Sequence, residues 1–293
     1  MRVFVTGGTG LVGSAVVAEL VNNGHAVLVL ARSQASAEAV EKAGAEPVRG
    51  SLADLDVIRE SAAKAGGVIH LAFANAFSSD EALANAVAEE TAALKVQAEA
   101  LVGSDRPLVT VSGTPYTPGR ASTEADPVAT DGPVGGRGRT VAEVLGFADR
   151  GVRTSAVRLP RTVHNNGEGG FAGLLTNIAR QTGVSGYPGD GTQRWPAVHA
   201  LDAAVLFRLA LEKAEAGTSW HAVSEEGVPV RGTAEVIGRR LGLPVESVPE
   251  ETYGPLGPIF ATDQPASSAH TQQALGWEPK HPDLLADLEN LRN

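Results

Sequence analysis

The chain has 293 residues, 43% of them hydrophobic, with 34 acidic against 24 basic side chains and a formal net charge of -10. That length supplies core for one large or two small domains, and the composition is that of a globular protein. An acidic balance without a basic tract argues against nucleic acid or an anionic membrane as partner. The lack of cysteine excludes disulfides, thiolate nucleophiles and zinc–sulfur sites.

The first element is the most informative. Val3-Phe4-Val5-Thr6 is a short apolar strand that runs into Gly7-Gly8-Thr9-Gly10-Leu11-Val12-Gly13, and an amphipathic stretch over 13–23 follows. Strand, glycine turn and helix in that order aim backbone N–H groups at a pyrophosphate. Gly7 allows the tight turn, Gly10 lets the phosphates approach, and Gly13 brings helix and strand close. Strands are expected at 26–31, 46–49, 68–71, 108–111 and 154–158. Helices are expected at 35–43, 57–65, 81–102 and 141–149. The alternation predicts an α/β fold: a Rossmann-type doubly wound parallel sheet. Glycine, proline and turns dominate from 160 to 195. Helical pattern returns at 201–214, 233–241 and near 284–291, with a strand at 219–223. The expected organisation is a dinucleotide-binding core over 1–160 and a smaller C-terminal substrate-binding lobe over 161–293, with about 196–223 returning to the core. No apolar run is long enough to span a bilayer and no secretory leader is evident, so the cytoplasm is the expected location.

The second strand ends Ala31-Arg32-Ser33. An acid there would hold the ribose diol of NAD, whereas a guanidinium attracts a 2′-phosphate and a serine adds a hydrogen bond. NADP(H) is therefore the expected cofactor, ahead of NAD(H). No metal is expected, because the seven histidines are scattered along the chain.

Several further segments occur in order: Arg49-Gly50-Ser51-Leu52-Ala53-Asp54, His70-Leu71-Ala72, Ser112-Gly113-Thr114, Arg158-Leu159-Pro160, Val198-His199-Ala200-Leu201-Asp202 and Leu275-Gly276-Trp277. With the glycine loop, they make the chain resemble an extended, atypical short-chain dehydrogenase/reductase of the NAD-dependent epimerase/dehydratase superfamily. The resemblance implies cofactor contacts at Gly7, Thr9, Gly10, Leu11, Val12, Gly13, Arg32 and Ser33. It also implies contacts at Ser51 and Leu52 beside adenine, at Leu71, Ala72 and Phe73, at Pro160, and at Arg139 toward the nicotinamide ribose. A homodimer through the long helices is compatible with it.

The family's catalysis uses a hydroxyl that polarises a carbonyl and a Tyr-x-x-x-Lys pair that moves the proton. Thr114 matches the hydroxyl. The pair is missing: aligning Ala142-Glu143 with the family helix puts Gly135 at the tyrosine and Arg139 at the lysine, with Arg137 the alternative cation. No tyrosine lies between Tyr116 and Tyr187. Arginine cannot exchange a proton near neutrality. Candidate proton sources are Tyr116, His164, or the substrate itself where a phenol is hydrogen-bonded to the ketone. Atypical reductases lacking the tyrosine occur among the tailoring enzymes of aromatic polyketides, and the chain resembles them. The expected function is thus an NADPH-dependent ketoreductase on a bulky aromatic, angucyclinone-like ketone, in antibiotic biosynthesis. The alternatives are an inactive NADP(H)-binding sensor, or a nucleotide-sugar epimerase or dehydratase, whose chemistry leans on the absent tyrosine. Tyr187, Trp195, Tyr253 and Phe260 are read either as a flat apolar wall for a polycycle or as packing within the lobe.

Overall fold

Residues 26–31, Ala-Val-Leu-Val-Leu-Ala, carry no polar side chain, and the strand they form has a sheet neighbour on each side. The computed structural model describes residues 1–74, 79–132 and 135–292. In chain order the elements are β1 (Arg2–Thr6), α1 (Leu11–Asn22), β2 (Ala26–Ala31), α2 (Gln34–Lys42), β3 (Glu46–Arg49), α3 (Leu55–Lys64), β4 (Gly67–His70), α4 (Asp80–Ala100), β5 (Pro107–Gly113), α5 (Gly135–Leu145) and β6 (Arg153–Leu159). There follow β7 (Thr162–His164), α6 (Gly170–Thr182), β8 (Ser185–Pro188), β9 (Arg194–His199), α7 (Ala200–Lys213), β10 (Thr218–His221), β11 (Glu225–Pro229), α8 (Val230–Leu241), β12 (Val245–Val248), α9 (Gly257–Phe260), α10 (Ala269–Leu275) and α11 (Leu284–Leu288).

The chain divides into two compact units. The first comprises Met1–Ser112, Val128–Arg158 and Ala204–Trp220. Its seven-stranded sheet has the order β10-β6-β5-β4-β1-β2-β3, and the pairs from β5 through β4, β1 and β2 to β3 are parallel. The order reverses between β1 and β4, which makes their carboxyl ends the switch point where ligands of such sheets bind. Phe4, Leu28, Val68, Leu94, Leu101 and Leu108 build the core beneath.

The second unit comprises Gly113–Pro127, Leu159–Ala203 and His221–Asn293. It holds a three-stranded sheet, β11-β9-β7, and a parallel β12-β8 pair. Leu175, Trp195, Ile237, Phe260, Leu284 and Leu288 form its core.

α9 and α10 are not expected from the sequence, and α5 and α6 differ from the expectation at their glycines. α6 occupies part of the stretch read as turns. Its buried residues Ala172, Leu175, Thr176 and Ala179 have helical spacing, which the flanking Gly169-Gly170 and Gly183 obscured. α5 starts at Gly135, six residues before the expected start at 141. Glycine is a poor helix former, but Gly135 and Gly138 are needed for contact. A side-chain carbon at 135 would lie 2.5 Å from the Thr130 carbonyl oxygen, and one at 138 would lie 2.1 Å from that of Ala129.

Candidate active site

In the first unit, the glycine loop after β1 has backbone where a side chain at Gly7 or Gly13 would need to lie. Gly7 adopts φ +75, and a Cβ there would meet the Ala72 nitrogen at 2.6 Å. A Cβ on Gly13 would lie 2.0 Å from the Gly7 carbonyl oxygen. Gly10 caps α1 without a side-chain hydrogen bond, so the first N–H groups of that helix, at Leu11, Val12 and Gly13, lack side-chain partners at the open end. Thr9, Gly10 and Leu11 are exposed. A glycine cradle before an uncapped, 12-residue helix is shaped for a pyrophosphate, and the residues present fit a dinucleotide.

Below the cradle, the Thr6 hydroxyl ties the carboxyl ends of β1 and β4 together. It lies 3.0 Å from Nδ1 of His70 and accepts from the Ala72 N–H at 3.4 Å. The Gln97 amide also reaches His70 Nδ1, at 3.1 Å. Full burial pushes the His70 imidazole down to about 4, with the charge of Arg137 adding to that, so this histidine is neutral. Leu71, Ala72 and Phe73 follow, each half-buried.

On the β2–β3 side, Arg32 and Ser33 are exposed at the end of β2. Ser33 is the N-cap of α2, with its hydroxyl accepting from the Ser36 N–H at 3.1 Å in a capping box. A second guanidinium, missed by sequence reasoning, stands here. Arg49 pairs with Ala31 in the β2–β3 register and donates to the Ser33 carbonyl and the Gln34 side chain. The Ser51 hydroxyl donates to Asp54 at 2.9 Å, and that carboxyl is held below its ordinary value chiefly by the Ser51 N–H. Leu52 packs on the core.

α5, which the resemblance aligns with the family's Tyr-x-x-x-Lys element, carries two candidate cations in different settings. Arg139 is exposed and donates to the Thr130 carbonyl. Arg137 forms a two-pronged pair with the buried Glu90 of α4, Nε at 2.8 Å and Nη2 at 2.7 Å, and its guanidinium lies 4.0 Å from the centre of the Phe73 ring.

The second unit carries the remaining candidates. Thr114 is buried, with its N–H donating to the Leu159 carbonyl at 2.9 Å and its carbonyl accepting from the Gln264 amide at 2.9 Å. Its hydroxyl makes no hydrogen bond among the described residues. Gln264 also accepts from Arg161 Nε at 2.7 Å, and burial pushes that guanidinium down to about 10. Tyr116 is exposed, while Pro160 and His164 are buried. Trp195, Tyr253 and Phe260 are buried in the core of the unit, where Phe260 lies 5.2 Å from Trp195 and 5.0 Å from Tyr253 between ring centres. Packing is therefore the role of these three rings, and Tyr187 alone of the four is half-exposed.

His164 belongs to a buried cluster that no linear spacing announces. β7 and β9 run parallel with His164 opposite His199. His164 Nδ1 donates to Asp287 of α11 at 2.9 Å, and Asp287 also accepts from the Asn166 and Gly167 N–H groups. Burial alone would raise the Asp287 carboxyl, but the Gly167 N–H and His164 outweigh it and hold it below its ordinary value. Burial lowers both His164 and His199. Asp202, the counterpart at α7, accepts from the Lys280 and His281 N–H groups and from the His281 ring. Ligand atoms of His164, His199 and Asp287 lie within 4.8 Å of one another. His199 Nδ1 nevertheless accepts from the Leu201 N–H, which keeps its proton on Nε2. This is the pattern of a hydrogen-bonded latch that fastens the C-terminal segment.

No helix among the described residues is long and apolar enough to cross a membrane. A protein of Schizosaccharomyces pombe named Uncharacterized protein C2A9.02 is 44% identical over 296 residues, covering 98% of each chain. A 2-alkyl-3-oxoalkanoate reductase of Stenotrophomonas maltophilia is 29% identical over 83% of this chain and 77% of its own. A 4-hydroxy-2-methyl-3-oxo-4-farnesyl-3,4-dihydroquinoline-1-oxide ketoreductase of Stigmatella aurantiaca is 31% identical over 41% of this chain and 40% of its own. The fold is that of the UDP-glucose 4-epimerase of Thermotoga maritima solved with UDP-glucose, at a TM-score of 0.78 and 21% identity over 99% and 97% of the two chains. The model of the NAD dependent epimerase/dehydratase family matches residues 3–224, and the chain belongs to that family.

Proposed function

We propose that the protein is an NADPH-dependent carbonyl reductase whose substrate is a bulky aromatic ketone of the angucyclinone type, already activated by an internal hydrogen bond. The oxidoreductase members of the family support the reaction class. The ketoreductase relative is named for a 3-oxo group on a fused dihydroquinoline, which supports a fused-ring substrate. The glycine loop and the α1 N-terminus would hold the pyrophosphate, and Arg32, Ser33 and Arg49 would face a 2′-phosphate. When bound, the nicotinamide supplies the hydride.

The observation that carries the phenol-free part of this reading is the closed space at Gly135. The Thr130 backbone fills the place a side chain at 135 would need. In its place the chain offers Thr114, whose hydroxyl has no partner among the described residues and can donate to a ketone oxygen. A phenol hydrogen-bonded to that oxygen within the substrate takes over delivery of the proton, and the protein's contribution is proximity and orientation.

The test is NADPH oxidation with two ketone panels, one carrying a hydroxyl beside the carbonyl and one lacking it. The first panel is expected to react and the second to be slower by about 10²–10⁴-fold, the usual contribution of a positioned acid. Equal rates on both panels, or loss of hydride transfer in Tyr116→Phe or His164→Gln with cofactor binding intact, would place the acid in the protein. The missing pair favours one rival reading, an NADP(H) sensor, which predicts tight binding and no oxidation with either panel.

A further inference from the structure

Arg161 is a partly buried cation without a counter-charge. Its Nε donates to the Gln264 side-chain oxygen at 2.7 Å and its Nη1 to the Ile259 carbonyl. Nη2, with two N–H donors, has neither a hydrogen bond nor a carboxylate among the described residues. Other arginines of the chain are answered more fully. Arg137 pairs with Glu90, and Arg208 with Glu19 and Glu212. Arg106 and Arg153 make no ion pair among the described residues, but carbonyls take both terminal nitrogens of each: Ala65 and Ala100 for Arg106, Ala214 and Leu211 for Arg153. Asp263, next to Gln264 in sequence, is taken by Arg194 at 2.9 Å. Burial pushes the Arg161 guanidinium down to about 10. A desolvated cation that faces only neutral dipoles is costly, and an anion brought to it offsets that cost.

The surroundings of Arg161 give that anion a chemical class. The Phe171 and Trp195 ring centres lie 5.4 and 5.9 Å from the guanidinium carbon and, with Gln264, hold the side chain in place. Arg161 is only half-buried, so its open edge can be reached from outside. Ile259, whose carbonyl it binds, is an exposed apolar residue. The Gln264 amide nitrogen donates to the Thr114 and Pro115 carbonyls at 2.9 and 3.3 Å, so one side chain spans from Arg161 to the loop that carries the Thr114 hydroxyl and the exposed Tyr116 ring. All of these residues lie in the second unit. Flat apolar surface beside a lone guanidinium suits an aromatic ligand that bears a negative oxygen.

We propose that Arg161, through Nη2, binds an anionic oxygen of the aromatic ketone, a carboxylate or an ionised phenol. The substrate is then an acid whose negative group lies about one glutamine side chain away from the Thr114 loop. This deepens the carbonyl-reductase reading and rests on it for the Thr114 end alone.

The experiment is calorimetric titration of the purified full chain with two probes of the same shape, anthraquinone-2-carboxylate and anthraquinone-2-carboxamide. Wild type is expected to bind the carboxylate about 10- to 100-fold more tightly, the factor a charge-assisted hydrogen bond carries. Arg161→Met levels the two affinities and Arg161→Lys restores part of the preference. Arg194→Met removes a cation already paired with Asp263 and leaves the preference as in wild type. A third probe, 2-hydroxyanthraquinone at a pH that ionises its phenol, separates the two sources of charge: affinity like that of the carboxylate points to a phenolate, and affinity like that of the carboxamide to a carboxylic acid. Equal affinities in wild type, binding of neither of the first two probes, a preference that survives Arg161→Met, or its loss in Arg194→Met instead would overturn the assignment. The reductase reading fails separately, when the preference is present but no ketone oxidises NADPH. Should Arg161→Met fail to fold, Arg161→Gln, which keeps an uncharged donor at that position, carries the same comparison.

Discussion

Placing a phenol at Gly135, where the resemblance puts the family's tyrosine, should damage the chain. At Gly135 a Cβ would sit 2.5 Å from both the carbonyl carbon and the oxygen of Thr130, where ordinary van der Waals contact begins near 3.4 Å. The 129–130 backbone must retreat by roughly 0.9 Å or α5 must lift away, and overpacking of this kind costs about 1–3 kcal/mol. At about 2–4 °C per kcal/mol for a chain of this order, Gly135→Ala should lower the melting temperature by roughly 2–12 °C, and Gly135→Tyr at least as much. Gly146→Ala is the control, since a Cβ there meets nothing within 4 Å. The assay pairs thermal unfolding with NADPH oxidation on a hydroxylated aromatic ketone. A missing general acid, if simply put back, would raise the rate by about 10²–10⁴-fold. The expectation here is a destabilised protein with no gain in rate. A Gly135→Tyr variant that melts with wild type and turns over about a hundredfold faster would refute both the packing argument and the phenol-free chemistry.

Gly13→Ala should abolish dinucleotide binding in calorimetry, because its Cβ would fall 2.0 Å from the Gly7 carbonyl oxygen; retention of wild-type affinity would remove the cradle from the account. Arg32→Asp should turn preference from NADPH toward NADH, and Arg49→Ala should weaken NADPH by about tenfold or more while sparing NADH; parallel losses of the two cofactors would exclude a 2′-phosphate contact. Acid should destabilise the first unit through His70. Its proton binds at an ordinary 6.5 in the unfolded chain but only at about 4 in the folded one, so stability falls as pH drops through 6.5 and levels below about 4. The difference is worth about 3 kcal/mol at about 1.4 kcal/mol per pH unit. Urea unfolding should show a flatter profile for His70→Asn, which keeps an acceptor for Thr6 and Gln97; an unchanged slope would assign the effect to other groups.

The alternating half of the fold was readable because its signals are local. β2 lies where its apolar run puts it, at Ala26–Ala31, and β3 lies over the expected Glu46–Arg49. The glycine loop carried its geometry in its composition, since few other residues tolerate φ +75 at Gly7 or the 2.0 Å approach at Gly13. α5 and α6 were harder because glycine punctuates them, at 135, 138 and 170 for close packing that only the neighbouring backbone reveals and at 183 for a left-handed helix end. The side-chain partners were not legible at all. Arg137 meets Glu90 47 residues away, and His164 meets Asp287 123 residues away. Nothing in local spacing links such pairs. Arg49 was visible in its motif, but its place beside Ser33 depends on the β2–β3 register.

The most direct test follows the hydrogen itself. The chain is given NADPH deuterated at C4 together with an aromatic ketone bearing a hydroxyl beside the carbonyl, and the product is weighed by mass spectrometry. The account predicts an alcohol heavier by one deuterium, formed also by the Tyr116→Phe variant. Cofactor binding with no label in the product, or none when Tyr116 is replaced, would contradict it.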